Sequence, residues 1–276
     1  MLIGNKNCDK CGSNYDVARD TCPACNTPNE EKKEQKSTKA ILFLSPQKQL
    51  LLFLVGFVAL QVIGYLIGAI LDNFMSDEEV TYHLITNVVC YVSVAIGLSF
   101  VIFKDFKLFK RHLTNPYPWI AGVTGGIILI MVTITYSLCS NLIYPHEINE
   151  NQNLANNMMT SFPLTSILVI GIIGPICEEF TYRLGMYSFL RRINKYVAYA
   201  ITIVFFALIH INFFAEDIIP ELIAIPQYLF AGLCFCILYE KWGIAASTTA
   251  HITNNLFSVL YTIIAQFILS AYGAGA

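Results

Sequence analysis

Charge is what this chain has least of. Only 13% of its 276 residues are Asp, Glu, Lys or Arg, against ~25% in a typical soluble domain. With 55% apolar residues and a mean hydropathy of +0.57, the deficit excludes an ordinary soluble globule and points to helices that cross a bilayer. The net charge of −2 gives no basic footprint for nucleic acid. Lys and Arg are also missing from every second polar loop: DNFMSDEEVTYH, PHEINENQNLANNMMTSFP and NFFAEDIIPE contain neither. The first 49 residues lack the apolar stretch of a signal peptide, so none is expected.

The apolar runs predict an all-α, polytopic transmembrane bundle of about seven spans. They lie near 50–71, 84–103, 118–140, 164–190, 196–213, 218–239 and 244–270, each close to the ~20 residues that cross ~30 Å. Pro220 and Pro226 are expected to kink the sixth. The loops that do carry cations alternate with those that do not. Lys36, Lys39 and Lys48 precede the first span; Lys104, Lys107, Lys110 and Arg111 follow the second. Arg191, Arg192 and Lys195 follow the fourth, and Lys241 the sixth. By the positive-inside rule the protein is integral to the plasma membrane, with its N-terminus cytoplasmic and its C-terminus outside.

Four of the nine cysteines stand together as CDKCGSNYDVARDTCPACN. Cys8, Cys11, Cys22 and Cys25 form two CxxC pairs, the spacing of a closed tetrahedral Zn²⁺ site. A ribbon this small has almost no core, so a structural zinc would supply its folding energy. The competing readings are two disulfides, which a cytosolic location disfavours, and a redox CxxC, which calls for a βαβ pattern that surrounds neither pair. The expected organisation is a zinc ribbon over 1–28, a charged linker over 29–49 and a transmembrane domain over 50–276. Cys90, Cys139, Cys177, Cys234 and Cys236 are scattered in the spans and read as packing residues.

Inside the apolar runs sit ionisable residues whose burial in hydrocarbon costs at least a few kcal/mol. Glu178, Glu179 and Arg183 lie mid-span, His210 near the end of the next span, and His251 and Asn255 in the last. Glu179 and Arg183 are i and i+4 and pair as a structural ion pair. Glu178, ~100° round the helix, is left as a spare carboxylate suited to activating water. Gly174-Pro175 predicts a local break that frees a backbone carbonyl. His251 and Asn255, also i and i+4, point at one target. The heights of the three helices allow these groups to meet in the inner to middle membrane. A carboxylate, two imidazoles and a carboxamide then suit peptide hydrolysis, with Glu178 and His210 on the water and His251 and Asn255 stabilising the oxyanion. The same Glu178, His210 and His251 are also a ligand set for a catalytic Zn²⁺ with one open position. Taken singly, each residue has a plain structural use. His83, His112 and His146 fall in loops or at span ends and carry no expected role.

At these positions the chain resembles a known family. Glu178-Glu179-Phe-Thr-Tyr-Arg183 is similar to the EExxxR motif of the CAAX prenyl protease and bacteriocin-processing (CPBP) intramembrane proteases. Phe206-Ala-Leu-Ile-His210 resembles their FxxxH, and His251-Ile-Thr-Asn-Asn255 their HxxxN. The resemblance covers roughly residues 115–265. It implies a helical bundle with a cavity open to the cytosol and hydrolysis of a membrane-associated or prenylated peptide. Glu178, His210, His251 and Asn255 would be catalytic, with Glu179, Arg183 and Phe206 in support. Whether a metal or a glutamate alone drives the chemistry stays open, as does the partner of the ribbon. Two rivals remain: a non-proteolytic bacteriocin self-immunity or scaffold protein using the same pocket, and an ion-coupled transporter. The second calls for inverted repeats, and none is found.

Overall fold

The computed structural model describes residues 5–16, 19–29, 44–71, 79–145 and 148–273. The chain divides into two compact units, Met1–Phe43 and Leu44–Ala276. Most of the expected linker, including Lys36 and Lys39, lies outside the described residues, as does His146.

In the first unit, β1 (Asn5–Asn7) pairs antiparallel with β2 (Asn14–Asp16), Lys6 opposite Tyr15. A second turn is closed by an isolated bridge between Thr21 and Pro28. The two turns are built alike. Gly12 N–H donates to the Cys8 carbonyl (2.8 Å) and Asn26 N–H to that of Cys22 (2.9 Å). Gly12 and Asn26 adopt φ of 71° and 55°, the left-handed region that Gly and Asn tolerate best.

The second unit is helical: α1 (Pro46–Leu71), α2 (Glu79–Ile102), a 3₁₀ turn (Phe103–Asp105), α3 (Phe106–Leu113), α4 (Pro116–Ile143) and α5 (Glu150–Ser161). Then follow α6 (Pro163–Arg191), α7 (Lys195–Leu208), α8 (Ile218–Trp242) and α9 (Ile244–Gly273). Side chains start several of them. The carboxamide oxygen of Asn115 accepts from Tyr117 N–H, that of Asn194 from Tyr196 and Val197, and the Asp217 carboxylate from Ile219. Gly243, with φ 82°, ends α8.

Among the described residues, six helices are long and apolar enough to cross a membrane: α1, α2 with its 3₁₀ turn, α4, α6, α8 and α9. The segment expected as the fifth span is only partly helical. Residues 195–208 form a helix of only 14 residues, about 21 Å long and short of a ~30 Å core. The chain beyond it, 209–217, runs as turns before α8 begins. α8 runs unbroken through Pro226, while the Tyr136 hydroxyl donates to the Ile223 carbonyl on its first turns (2.8 Å).

α6 occupies the centre. It is not a regular helix: Val169–Ile173 and Phe180–Tyr187 are π-helical. α1 lies so close to it that a Cβ on Gly185 would sit 2.8 Å from the Phe53 nitrogen. α4 approaches α9 through Gly122 and Gly126, where a Cβ would meet the carbonyls of Ala246 (2.6 Å) and Ala250 (2.9 Å). Such small-residue contacts let helices close up in lipid, where apolar burial contributes little. One end of the bundle collects cations. Lys48 pairs with Asp105 and Arg191 with Glu240 (3.0 Å); Arg192 donates to Gln49 and to the Leu44 carbonyl.

Candidate active site

Pro175 fixes the shape of α6 next to the acidic pair. The N–H of Gly174 donates to the Val169 carbonyl, five residues back. In that register the Ile170 carbonyl faces residue 175, and proline has no N–H to offer. The Asn255 carboxamide fills the gap, donating to Ile170 O at 3.1 Å from α9. The carbonyl that Gly174-Pro175 was expected to free is thus capped by one of the residues expected to be catalytic. The Asn255 carboxamide oxygen also accepts from Asn254 (3.2 Å).

One turn on, Glu179 and Arg183 are completely buried and pair at 2.9 Å. The Arg183 guanidinium packs on two perpendicular rings, 4.4 Å from the centre of Phe206 and 5.0 Å from that of Phe235. Such ring contacts stabilise a desolvated cation. Glu179 also holds His251, whose Nδ1 stands 3.0 Å from its carboxylate. A carboxylate paired with arginine only accepts, so Nδ1 carries the proton and Nε2 faces away with a lone pair when the ring is neutral. His251 stacks on Phe235 at 4.4 Å.

His210 does not lie on α7 as expected. It follows the helix in a turn, and its ring folds back so that Nδ1 donates to the Phe206 carbonyl at 2.7 Å. Its Nε2 therefore also presents a lone pair. The ring stacks on Tyr228 at 4.6 Å. Because α7 is short, its end stands at mid-bundle, and that brings His210 level with Glu178.

Glu178 is where these elements meet. One oxygen accepts from Tyr91 of α2 at 3.0 Å. The other, Oε2, is buried and has no hydrogen-bond partner among the described residues. The Nε2 atoms of His210 and His251 each stand 3.9 Å from it. That is too long for a hydrogen bond and leaves room for a bridging water. All of these groups border a cavity of about 210 Å³ that Asn254, Asn255, Asn151 and Gln152 also line.

A polar knot fixes the loop that bears His210. The carboxylate of Glu221, itself buried, accepts from the backbone N–H of Glu150 (2.7 Å) and of Asn212 (2.9 Å). Asn212 donates to Glu150, and Asn149 to the His210 carbonyl (3.3 Å). Sequence reasoning missed Glu221, Tyr91 and Tyr228. Only the buried polar character of Glu221 on an apolar helix was available to flag it. Cys177 is buried and its thiol faces the Tyr91 carbonyl (3.6 Å), in keeping with packing. His83 lies at the start of α2 beside Tyr82 and does not line the cavity; the side chain of His112 is outside the described residues.

In the first unit, Cys8, Cys11, Cys22 and Cys25 bring their sulfurs within 4.8 Å of one another. Cys8–Cys25 and Cys11–Cys22 are 3.5 and 3.6 Å apart. A disulfide needs ~2.05 Å, whereas Zn–S bonds of ~2.3 Å at tetrahedral angles put sulfurs ~3.8 Å apart. The cluster fits a small zinc ribbon. Hydroxyls support it in matching places: Ser13 reaches Cys11 (2.7 Å) and Cys22 (3.3 Å), and Thr27 reaches Cys25 (2.9 Å). The Ser13 hydroxyl, with backbone N–H groups, holds the Cys22 thiol down to about 6, and Thr27 lowers Cys25. Both shifts favour the thiolate that binds metal. Among the described residues no other such group is this compact; Glu178, His210 and His251 are more open.

Comparison with known proteins bears on the helical unit. The family described as type II CAAX prenyl endopeptidase Rce1-like matches residues 160–257. That stretch holds α6 to α9 up to Phe257, and with it Glu178, His210, His251 and Asn255. The match over residues 160–257 supports a likeness to the CAAX prenyl protease and bacteriocin-processing proteases. The chain is also similar to the UPF0177 protein YvdC of Lactococcus lactis subsp. lactis (strain IL1403), 20% identical over 167 residues. The match covers 60% of this chain, which spans 61% of the length of that relative. No solved structure matches. With six such apolar helices among its described residues, the chain is an integral membrane protein.

Proposed function

We propose that the chain is an intramembrane endopeptidase that hydrolyses a peptide bond of a membrane-associated peptide. The observation that carries this reading is the Glu178 Oε2 atom: buried, without a hydrogen-bond partner among the described residues, and faced by two imidazole nitrogens at 3.9 Å. A water at that point accepts no competing backbone bond. Glu178 takes its proton as general base, and His210 Nε2 accepts its second hydrogen and orients it. The water oxygen attacks the peptide carbonyl carbon. Glu178 then passes the proton to the leaving nitrogen as the C–N bond breaks, giving an acid and an amine. His251 donates to the oxyanion when its ring carries both protons, with Glu179 as counter-charge at Nδ1. Asn255 offers the second N–H of its carboxamide.

The same donor set fits a divalent metal, since an orphaned carboxylate oxygen and two lone pairs face one another. Glu178, His210 and His251 would hold it, and it would supply Lewis acidity to the bound water. The four cysteines of the first unit fit a structural zinc, which would supply that unit's folding energy.

The test is cleavage by the purified full chain of a panel of quenched fluorescent peptides in micelles, one farnesylated near its C-terminus and others unmodified and apolar. Glu178→Ala and His210→Ala are expected to abolish turnover while remaining folded; turnover retained in both would sink these roles. Glu178→Gln separates hydrolysis from an immunity or scaffold role, since binding in the pocket tolerates the isostere and water activation does not.

A further inference from the structure

We infer that the cavity opens away from the cytoplasm, so that the protein takes exported or outward-facing peptide. This rests on the hydrolase reading above and goes further by naming the side of the membrane that supplies the substrate. Two sets of contacts define the ends of the helical unit. Lys48, Asp105, Arg191, Arg192 and Glu240 pair at one end, next to the Lys241 turn. The opposite end holds the polar knot of Asn149, Glu150, Asn212 and Glu221, in connections without Lys or Arg. Counted over short loops, cations stay in the cytoplasm.

The cavity belongs to the cation-free end. Its wall includes α5, which joins the end of α4 to the start of α6 at that end. The α6 residues in the wall, from Ile170 to Glu178, come from the half of the helix nearer α5. A groove of about 400 Å³ continues from it, sharing Gln152, Tyr228, Asn254 and Ser258. The groove reaches Ile148, Asn149 and Pro220, in the α4–α5 connection and the first turn of α8. Thus the cavity beside Glu178 extends toward the end that positive-inside ordering puts outside. A cavity open to the cytosol, implied by family resemblance, would need the opposite orientation.

The experiment is cysteine labelling of the full chain in intact cells with a membrane-impermeant maleimide, with the wild-type chain as background. Ile148→Cys marks the mouth of the groove, Gln152→Cys the shared wall, and Lys107→Cys the cation-rich end. Labelling of the first two before permeabilisation, and of Lys107→Cys only after it, is the expected result. Labelling of Lys107→Cys in intact cells overturns the inference. So does protection of Gln152→Cys under conditions where Ile148→Cys reacts. No hydrolysis is needed for this readout. A second arm adds an impermeant cleavable peptide to the same cells. If the labelling pattern holds and no peptide of the panel is cut, the hydrolase reading falls while the orientation stands.

Discussion

Replacing Glu221 by glutamine changes one oxygen for an amino group and almost nothing in shape. Both oxygens of the carboxylate are committed, to Glu150 N–H at 2.7 Å and Asn212 N–H at 2.9 Å. Glutamine can accept from one; its amino group then faces the other N–H. One charge-assisted bond is lost, about 1.5–3 kcal/mol, in a loop with no helix of its own to hold it. Opening of 209–217 should therefore become roughly ten- to a hundred-fold more frequent. Hydrogen exchange followed by mass spectrometry reads this directly in 209–217 and the first turn of α5, with α6 as internal reference. Because His210 is two residues from Asn212, kcat is expected to fall with KM little changed. Packing alone would be satisfied by glutamine, so wild-type exchange in Glu221→Gln would refute the reasoning.

Other perturbations probe the rest. Asn255→Ala leaves the Ile170 carbonyl without a donor, at about 1–3 kcal/mol. Pro175→Ala restores an N–H to that carbonyl, so the double variant should be more stable than the sum of the singles; additive losses in a denaturant titration would contradict the capping role. Gly126→Leu drives a side chain into Thr253 Cβ, 2.7 Å from where its Cβ would lie. It should cost about 1–3 kcal/mol and lower turnover by shifting His251, whereas Gly64→Ala, with only Cys90 within 3.7 Å, should be neutral. The full chain should hold one zinc on elemental analysis that Cys8→Ser or Cys22→Ser removes, and unchanged zinc in both would refute the ribbon assignment.

The sequence made the helical class and the meeting of the polar residues legible for different reasons. Apolar runs near twenty residues have few uses besides crossing a bilayer, and six of the seven expected spans appear as long helices. The fifth is helical over only part of its length, because hydropathy does not report where backbone pairing stops. The run over 196–213 stays apolar past Leu208, but the helix ends there and the chain turns. That same ending carries His210 to Glu178. The Glu179–Arg183 pair followed from helical spacing, and the freed carbonyl from Gly174-Pro175. Tyr91, Tyr228 and Glu221 did not follow, since each acts across elements and no short-range pattern marks it. The matching turns around Cys8–Ser13 and Cys22–Thr27 were visible only once Gly12 and Asn26 shared a backbone conformation.

Incubating a cleaved peptide with the full chain in ¹⁸O-enriched water tests the central claim most directly. The account predicts one ¹⁸O in the new carboxyl group of the wild-type product, and none of that product from Glu178→Gln. Equal product from Glu178→Gln, carrying the same label, would contradict it.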